Sequence, residues 1–292
     1  MTAKISMLRR LTAPKKMLNN LLANLKKAGV DGAEATLDVL CAFVKKTDYP
    51  SVRLSRITGS LRFTDSEKEK LCALVSARCG GEPLEYITGE REFYGLTFKC
   101  AKNVLIPRND TEILVDTALE FLDDGDTLLD LCTGTGCVGI SIAKTKKIKA
   151  VLADISKDAL KCAKENAERL LPHGSAEVIC HDVFCDIPEG LFNAVTANPP
   201  YITAEEMKTL PADVKNEPSL ALFGGEDGLD FYRVIAARYR QFIKSVGRIF
   251  FEVGAKQSES VSEILEKNGY LDIETRKDYG NNNRVVFARN NQ

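Results

Sequence analysis

The sequence predicts an α/β fold: a doubly wound, mostly parallel sheet of seven strands, preceded by a small helical domain and a linking β-hairpin. Three observations predict it. Beyond about residue 109, short continuous apolar runs alternate with helical stretches, the pattern of a parallel sheet covered on both faces. Before residue 85 the apolar residues recur at helical spacing instead. Between the two, glycines separate β-forming residues, as in a hairpin. The expected divisions are a helical domain at 1–84, a hairpin linker at 85–106 and an α/β domain at 107–292.

In order along the chain, Leu18, Leu21, Leu22 and Leu25 share one helical face, and Gly29 stops that helix. Leu37, Leu40, Cys41 and Val44 repeat the pattern in a second helix. Thr64 and Glu67 form a capping-box pattern that opens a third, with Leu71, Leu74 and Val75 inward. Gly80, Gly81 and Pro83 then break the chain. EYITGEREFYGLTFKC (85–100) reads as a hairpin. Strands are expected at 127–132, 149–154, 176–182, 192–198 and 247–253. Helices are expected at 138–145, 156–171 and 227–244, and the chain finishes helix, strand, strand.

Composition narrows the function classes. The chain has 292 residues, 44% of them hydrophobic, and a net charge of -1, which argues against a whole-surface nucleic-acid binder. Residues 1–85 carry a net +6 and the remainder a net -7, so the two regions are expected to meet different partners. Nine cysteines with no C-x-x-C pair form neither a zinc pattern nor a disulfide framework. They are expected to be small buried hydrophobes in a reducing cytosol, and no metal is expected. His173 and His181 are the only histidines, too few for a histidine-based site, and both are expected in loops or at the surface. No apolar stretch reaches membrane-spanning length. The start contains no acid before Asp31. It suits either an organellar transit peptide or, as its leucine pattern favours, the basic first helix of a folded cytoplasmic protein.

DLCTGTGCVG (130–139) follows the first strand of the α/β domain and opens a helix. Gly134 and Gly136 permit a tight turn and close approach of a ligand. Cys132, Thr133 and Thr135 complete the loop, and the helix start supplies free N–H groups. Asp154 ends the next strand, at the sheet edge where α/β ligands bind. It suits ribose hydroxyls, or an N-cap for the helix near Ser156. Asp182 and Val183 end the third strand and suit an adenine, with Asp182 also readable as an ordinary loop acid. The third glycine of G-x-G-x-x-G is missing and no P-loop exists, so nicotinamide and ATP readings weaken. A nucleoside without phosphate fits, and S-adenosylmethionine (SAM) is one. Asp130 suits the amino group of its methionine part, or a cap on the loop.

The fourth strand runs into Asn198-Pro199-Pro200-Tyr201. Methyl transfer from a sulfonium needs little acid or metal help. The hard case is a planar nitrogen whose lone pair is delocalised, as in a carboxamide or the amino group of a base. Two acceptors gripping both N–H hydrogens orient such a nitrogen and stabilise the charge that develops on it. The Asn198 side-chain oxygen and the Pro199 carbonyl form such a pair. The prolines add stiffness and no competing donors, and Tyr201 offers a flat wall. The plainer reading is a proline-rich turn.

With the D-x-x-T-G-x-G loop, Asp154 and NPPY on the page, the sequence resembles the release factor glutamine methyltransferases (the PrmC/HemK family). YITGEREFYGL (86–96), VLIPRNDTE (104–112), EPSLALFGGEDGLDFYR (217–233) and NRVVFAR (283–289) carry the resemblance further. NPPY alone is shared with adenine-amino methyltransferases. PR-x-x-TE before the first strand together with EP-x-x-ALFGG-x-DGL after NPPY is much more specific. The resemblance spans about residues 86–289, and the helical start is similar by pattern only. The chain departs from the family's usual pattern at Asn109-Asp110, Cys132 and Val183.

The resemblance implies a Rossmann-like SAM methyltransferase sheet. It implies methyl transfer to the glutamine amide in the GGQ motif of peptide-chain release factors, with no membrane or sequence-specific nucleic-acid partner. It carries SAM contacts onto the 132–136 loop, Asp154, Asp182, Val183 and Asn198, and glutamine recognition onto Asn198, Pro199, Pro200 and Tyr201. It also brings Phe93 and Glu112 toward the pocket; core packing and helix N-terminal charge account for them equally well. GGEDG (224–228) reads as a lid over the glutamine, or as a connection capped by Asp227. Two other functions compete. An adenine-amino methyltransferase wants a basic cleft or a recognition insertion, and this α/β part is acidic and compact. A non-catalytic SAM-binding scaffold has no need of an intact NPPY.

Overall fold

The computed structural model describes the backbone of residues 2–291 and the side chains of 15–211 and 214–291. They form two compact units, Met1–Gly89 and Glu90–Gln292. The first contains α1 (Thr2–Lys27), α2 (Ala33–Lys45), α3 (Tyr49–Ile57), α4 (Asp65–Cys79) and α5 (Leu84–Thr88). The leucine stripes meet as expected: Leu18, Leu21 and Leu25 pack with Leu37, Leu40, Cys41, Val44, Leu71 and Val75. The capping box forms, with Thr64 Oγ1 accepting from the Glu67 amide at 3.2 Å and Glu67 Oε2 accepting from the Thr64 amide at 2.7 Å.

One helix lies outside the expectations, and one local expectation needs correction. Helix α3 has no apolar stripe, because Val52 is its one buried residue. Its start is set by Asp48, whose carboxylate accepts from the Ser51 amide at 2.8 Å, and by a proline in the first turn. The hairpin is shorter than 85–100. Residues 84–88 take a helical turn, which Gly89 ends at φ 81°, a conformation that suits glycine.

The hairpin pairs β1 (Glu90–Phe93) with β2 (Leu96–Lys99). Then follow α6 (Glu112–Leu119), β3 (Thr127–Leu131), α7 (Cys137–Thr145), β4 (Lys149–Asp154), α8 (Lys157–Leu170), β5 (Ala176–Cys180) and β6 (Phe192–Ala197). The chain continues with α9 (Ala204–Thr209), α10 (Ala212–Lys215), α11 (Asp230–Tyr239), β7 (Ile243–Glu252), α12 (Ser258–Lys267), β8 (Leu271–Lys277) and β9 (Asn283–Arg289). The sheet order is β5-β4-β3-β6-β7-β9-β8. All neighbours through β7 are parallel, and β9 runs antiparallel to both β7 and β8.

Alternate residues of each central strand feed opposite cores. Leu128, Leu152, Ala194 and Phe250 pack with residues of α6, α7 and α8 on one face. Leu129, Ala153, Val195 and Phe251 pack with α11 and α12 on the other. Burial on both faces explains why the strands read as continuous apolar runs. Strand order reverses between β3 and β6, and a ligand crevice is expected outside the carboxyl ends at that point. Leu131 pairs with Ala197 in register there, so the glycine loop and NPPY leave the sheet side by side.

The cysteines and histidines divide. All nine cysteines are free, but Cys72, Cys180 and Cys185 are exposed rather than buried. His173 is exposed. His181 lies in the loop after β5, as expected, but is buried there, and its Nε2 lies 2.6 Å from the Tyr239 hydroxyl. Among the described residues, no helix is long and apolar enough to cross a membrane.

Candidate active site

The crevice is a cavity of about 440 Å³ outside the ends of β3, β4 and β6. Its wall includes Asp130, Cys132, Thr133, Gly134, Thr135, Asp154, Asp182, Val183, Asn198 and Pro200. Gly136, Pro199 and Tyr201 are not among its lining residues. Gly136 instead sits at the start of α7 with φ 82°, where a Cβ would come within 2.7 Å of Ile140 Cδ1. Tyr201 packs against the second core, and burial raises its phenol to about 12.

Asp130 caps the loop. Its Oδ2 accepts from the Thr133 hydroxyl at 2.5 Å and from the Gly139 amide at 3.1 Å, and its Oδ1 accepts from the Thr196 hydroxyl at 2.7 Å. Thr196 is its register partner on β6. Burial pushes the Asp130 carboxyl up to about 6, against the pull of these donors. A Cβ on Gly139 would come within 3.1 Å of Asp130 and 2.3 Å of Leu152, so the helix approaches the strand only because that side chain is missing.

Asp154 holds the other side of the loop. Its Oδ2 accepts from the Gly134 amide and its Oδ1 from the Ser156 amide, both at 2.9 Å. Burial raises its pKa while these bonds oppose the rise. It is not the helix cap: Ser156 is, accepting from the Ala159 amide at 3.3 Å. Asp182 makes a tight turn, with Oδ1 accepting from the Phe184 amide at 2.9 Å.

The cavity fits SAM. Gly134 has φ 56° and open space where a Cβ would stand. Thr135 Oγ1 is buried without a hydrogen-bond partner beside it. Asp154 and Asp182 supply acceptors, and Val183, Ile155, Phe184 and Phe231 supply apolar wall. Phe184 and Phe231 meet edge to face at 4.9 Å. No phosphate-sized cluster of cations is among the lining residues, which agrees with a phosphate-free nucleoside.

The segments around NPPY converge on it. The Ile106 amide donates to Glu217 Oε2 at 3.1 Å, and Arg108 pairs with Glu217 Oε1. The PR and EP segments, distant in sequence, are thus one structure. Gly224 approaches NPPY so closely that a Cβ would lie 2.6 Å from the Pro200 oxygen. A Cβ on Gly228 would lie 2.3 Å from the Tyr201 oxygen. Asp227 accepts from the Leu229 amide at 3.2 Å and pairs with Arg233, but it does not cap α11, whose N-cap is Leu229 with no side-chain cap. Phe93 is a core residue, packed edge to face on Phe98 at 6.0 Å. Glu112 accepts from the Tyr94 amide at 2.7 Å and fixes the hairpin turn. Neither is among the cavity-lining residues.

Sequence reasoning missed two residues beside Asn198. Thr111 Oγ1 lies 3.4 Å from Asn198 Nδ2. Glu252, the last residue of β7, is buried, and hydrogen bonding from both side chains opposes the rise that burial gives its pKa. An acid ending an apolar strand was the available signal.

Residues 16–89 match the family model of the PrmC N-terminal domain, and residues 109–213 that of the methyltransferase small domain. The release factor glutamine methyltransferase of Clostridium acetobutylicum is 40% identical over 257 residues, covering 86% of this chain and 89% of that protein. That of Agrobacterium fabrum is 37% identical over 265 residues, covering 88% and 87%. In fold, the chain is similar to the crystal structure of a methyltransferase from Pyrococcus furiosus, with TM-score 0.53 and 17% identity, covering 68% of this chain and 91% of that one. The chain belongs to the release factor glutamine methyltransferase family, whose chemistry draws its methyl group from SAM.

Proposed function

We propose that this protein transfers a methyl group from SAM to the side-chain amide nitrogen of the glutamine in the GGQ motif of peptide-chain release factors. The observation that carries the reading is Asn198 on the cavity wall, one residue past Ala197, which pairs with Leu131 just before the glycine loop. A nitrogen held at Asn198 is therefore beside the loop that would hold the cofactor. Residues 132–135, Asp154, Asp182 and Val183 would bind it. Bound SAM supplies a methyl already activated by its sulfonium.

Asn198 Oδ1 and the Pro199 carbonyl accept the two N–H hydrogens of the substrate carboxamide. This points the nitrogen at the methyl and stabilises the positive charge that grows on it. Pro200 and Tyr201 keep the segment rigid, and neither proline carries an N–H that would compete. The nitrogen gains a methyl and gives up one proton to water. The basic helical unit grips the release factor away from the reacting amide, in the cytoplasm where release factors work.

The acidic balance of residues 86–292 disfavours a nucleic-acid substrate. Incubation with methyl-labelled SAM, a release factor and an oligonucleotide tests the proposal. Label should enter the release factor and map to its GGQ glutamine. Label in the oligonucleotide would assign an adenine-amino methyltransferase instead.

A further inference from the structure

The two ends of the Asn198 amide differ: Oδ1 only accepts hydrogen bonds, and Nδ2 only donates. The proposed reaction uses the accepting end. With no guidance the amide would turn either end to the substrate, and the donating end would meet the substrate N–H groups head on. The surroundings decide between them. Nδ2 lies 3.4 Å from the hydroxyl of Thr111, which is 2% exposed. Hydrogen bonding from both side chains lowers the pKa of Glu252, also 2% exposed, against the rise from burial. Above about pH 7, where the carboxylate is ionised, it accepts only, so it attracts Nδ2 and repels Oδ1. Thr111 can accept from Asn198 and donate toward Glu252 at the same time.

We propose that Glu252 and Thr111 are positioning residues that hold the Asn198 side chain with its NH2 group turned inward and its Oδ1 presented to the substrate amide. This rests on the acceptor role of Asn198 proposed above.

Three further observations support it. Glu252 Oε2 is buried with no hydrogen-bond partner, so the carboxylate keeps acceptor capacity unspent. Arg284 of β9 lends the carboxylate its charge while being anchored elsewhere, to Asp278 at 2.9 Å and Asp110 at 3.2 Å. Asp110 immediately precedes Thr111, so the same arginine holds the segment that presents the Thr111 hydroxyl. Thr111 also ends the short 3-10 turn Asn109–Thr111 and is the N-cap residue of α6, which fixes its backbone.

The test measures turnover on a release factor and SAM affinity by titration, for Thr111→Val, Thr111→Ser, Glu252→Gln and Asn198→Ala. Thr111→Val and Glu252→Gln should each lower kcat about tenfold, as expected when a reacting group is misaligned, with SAM affinity within about twofold of wild type. Thr111→Ser, which keeps the hydroxyl, should restore most of kcat. In an Asn198→Ala background, Thr111→Val should cost nothing more, because the group it positions is gone. The proposal is overturned if Thr111→Val and Glu252→Gln turn over normally while Asn198→Ala does not. It is also overturned if Thr111→Val exacts its full cost in the Asn198→Ala background. Normal turnover by Asn198→Ala would remove the acceptor role itself, and this inference with it.

Discussion

The Gly134 amide donates to Asp154 Oδ2 at 2.9 Å, so the glycine loop after β3 and the acid ending β4 form one binding element. Asp154→Ala should therefore act twice, removing an acceptor from the cavity and releasing the loop. A charged hydrogen-bonding group of this kind contributes about 1.5–3 kcal/mol. SAM affinity should fall about tenfold or more, while the melting curve stays cooperative. Asp154→Asn, which keeps one acceptor oxygen, should lose less. Calorimetric titration measures both. Equal affinity in the wild type and Asp154→Ala would remove Asp154 from the site.

Gly224 is shaped by NPPY. A Cβ there would lie 2.6 Å from the Pro200 oxygen and 2.7 Å from Tyr201 Cα, so the backbone of one segment must move. Gly224→Ala should lower turnover up to about a hundredfold by displacing the segment, with SAM affinity close to normal because the glycine loop is untouched. Single-turnover kinetics beside a SAM titration separates the two effects. Equal losses in both would mean that the change disturbs the whole cavity.

Glu252 also predicts a dependence of stability on pH. Burial pushes its carboxyl up to about 7, above the ordinary carboxylate range, despite opposition from Thr111, Arg284 and Asn198. The folded protein therefore holds this proton more tightly than the unfolded chain does. The stability so gained is complete below the ordinary carboxylate range and is lost as pH rises through about 7. Glu252→Gln is neutral at every pH. Its melting temperature relative to wild type should be higher at pH 8 than at pH 5. Asp130, pushed up by burial in the same direction, is common to both proteins and cancels in the difference. A constant difference across pH would show that Glu252 does not titrate there.

Lys15, Lys16 and Lys27 of the helical unit are exposed. Lys26 is paired with Glu34 at 3.2 Å and is the weaker candidate for a partner's acids. If the basic unit steers release factors, Lys15→Gln/Lys16→Gln/Lys27→Gln should raise KM for the intact release factor and flatten its salt dependence. SAM affinity should not change. Kinetics at two salt concentrations measures this, and an unaltered KM with unaltered salt dependence would leave the charge as a solvated face.

The parts legible in the sequence were those written in local chemistry. Leu128 to Leu131 read as a buried strand because both faces of β3 are covered. The glycine loop and Asp154 were readable because a tight turn and a strand end each demand particular residues. Helix α3 was not, because its one buried residue makes no stripe. His181 looked like a loop residue, and only the fold brings Tyr239 within 2.6 Å of it. Thr111 and Glu252 were hidden for the same reason. Their relation to Asn198 runs across separate segments, and no spacing within one segment records it.

The measurement closest to the centre of the mechanism is turnover of Asn198→Ala on a release factor, with SAM affinity titrated on the same protein. Loss of one acceptor that acts mainly in the transition state should lower kcat about a hundredfold, with SAM affinity changed much less. Near-normal kcat in Asn198→Ala would contradict the acceptor mechanism.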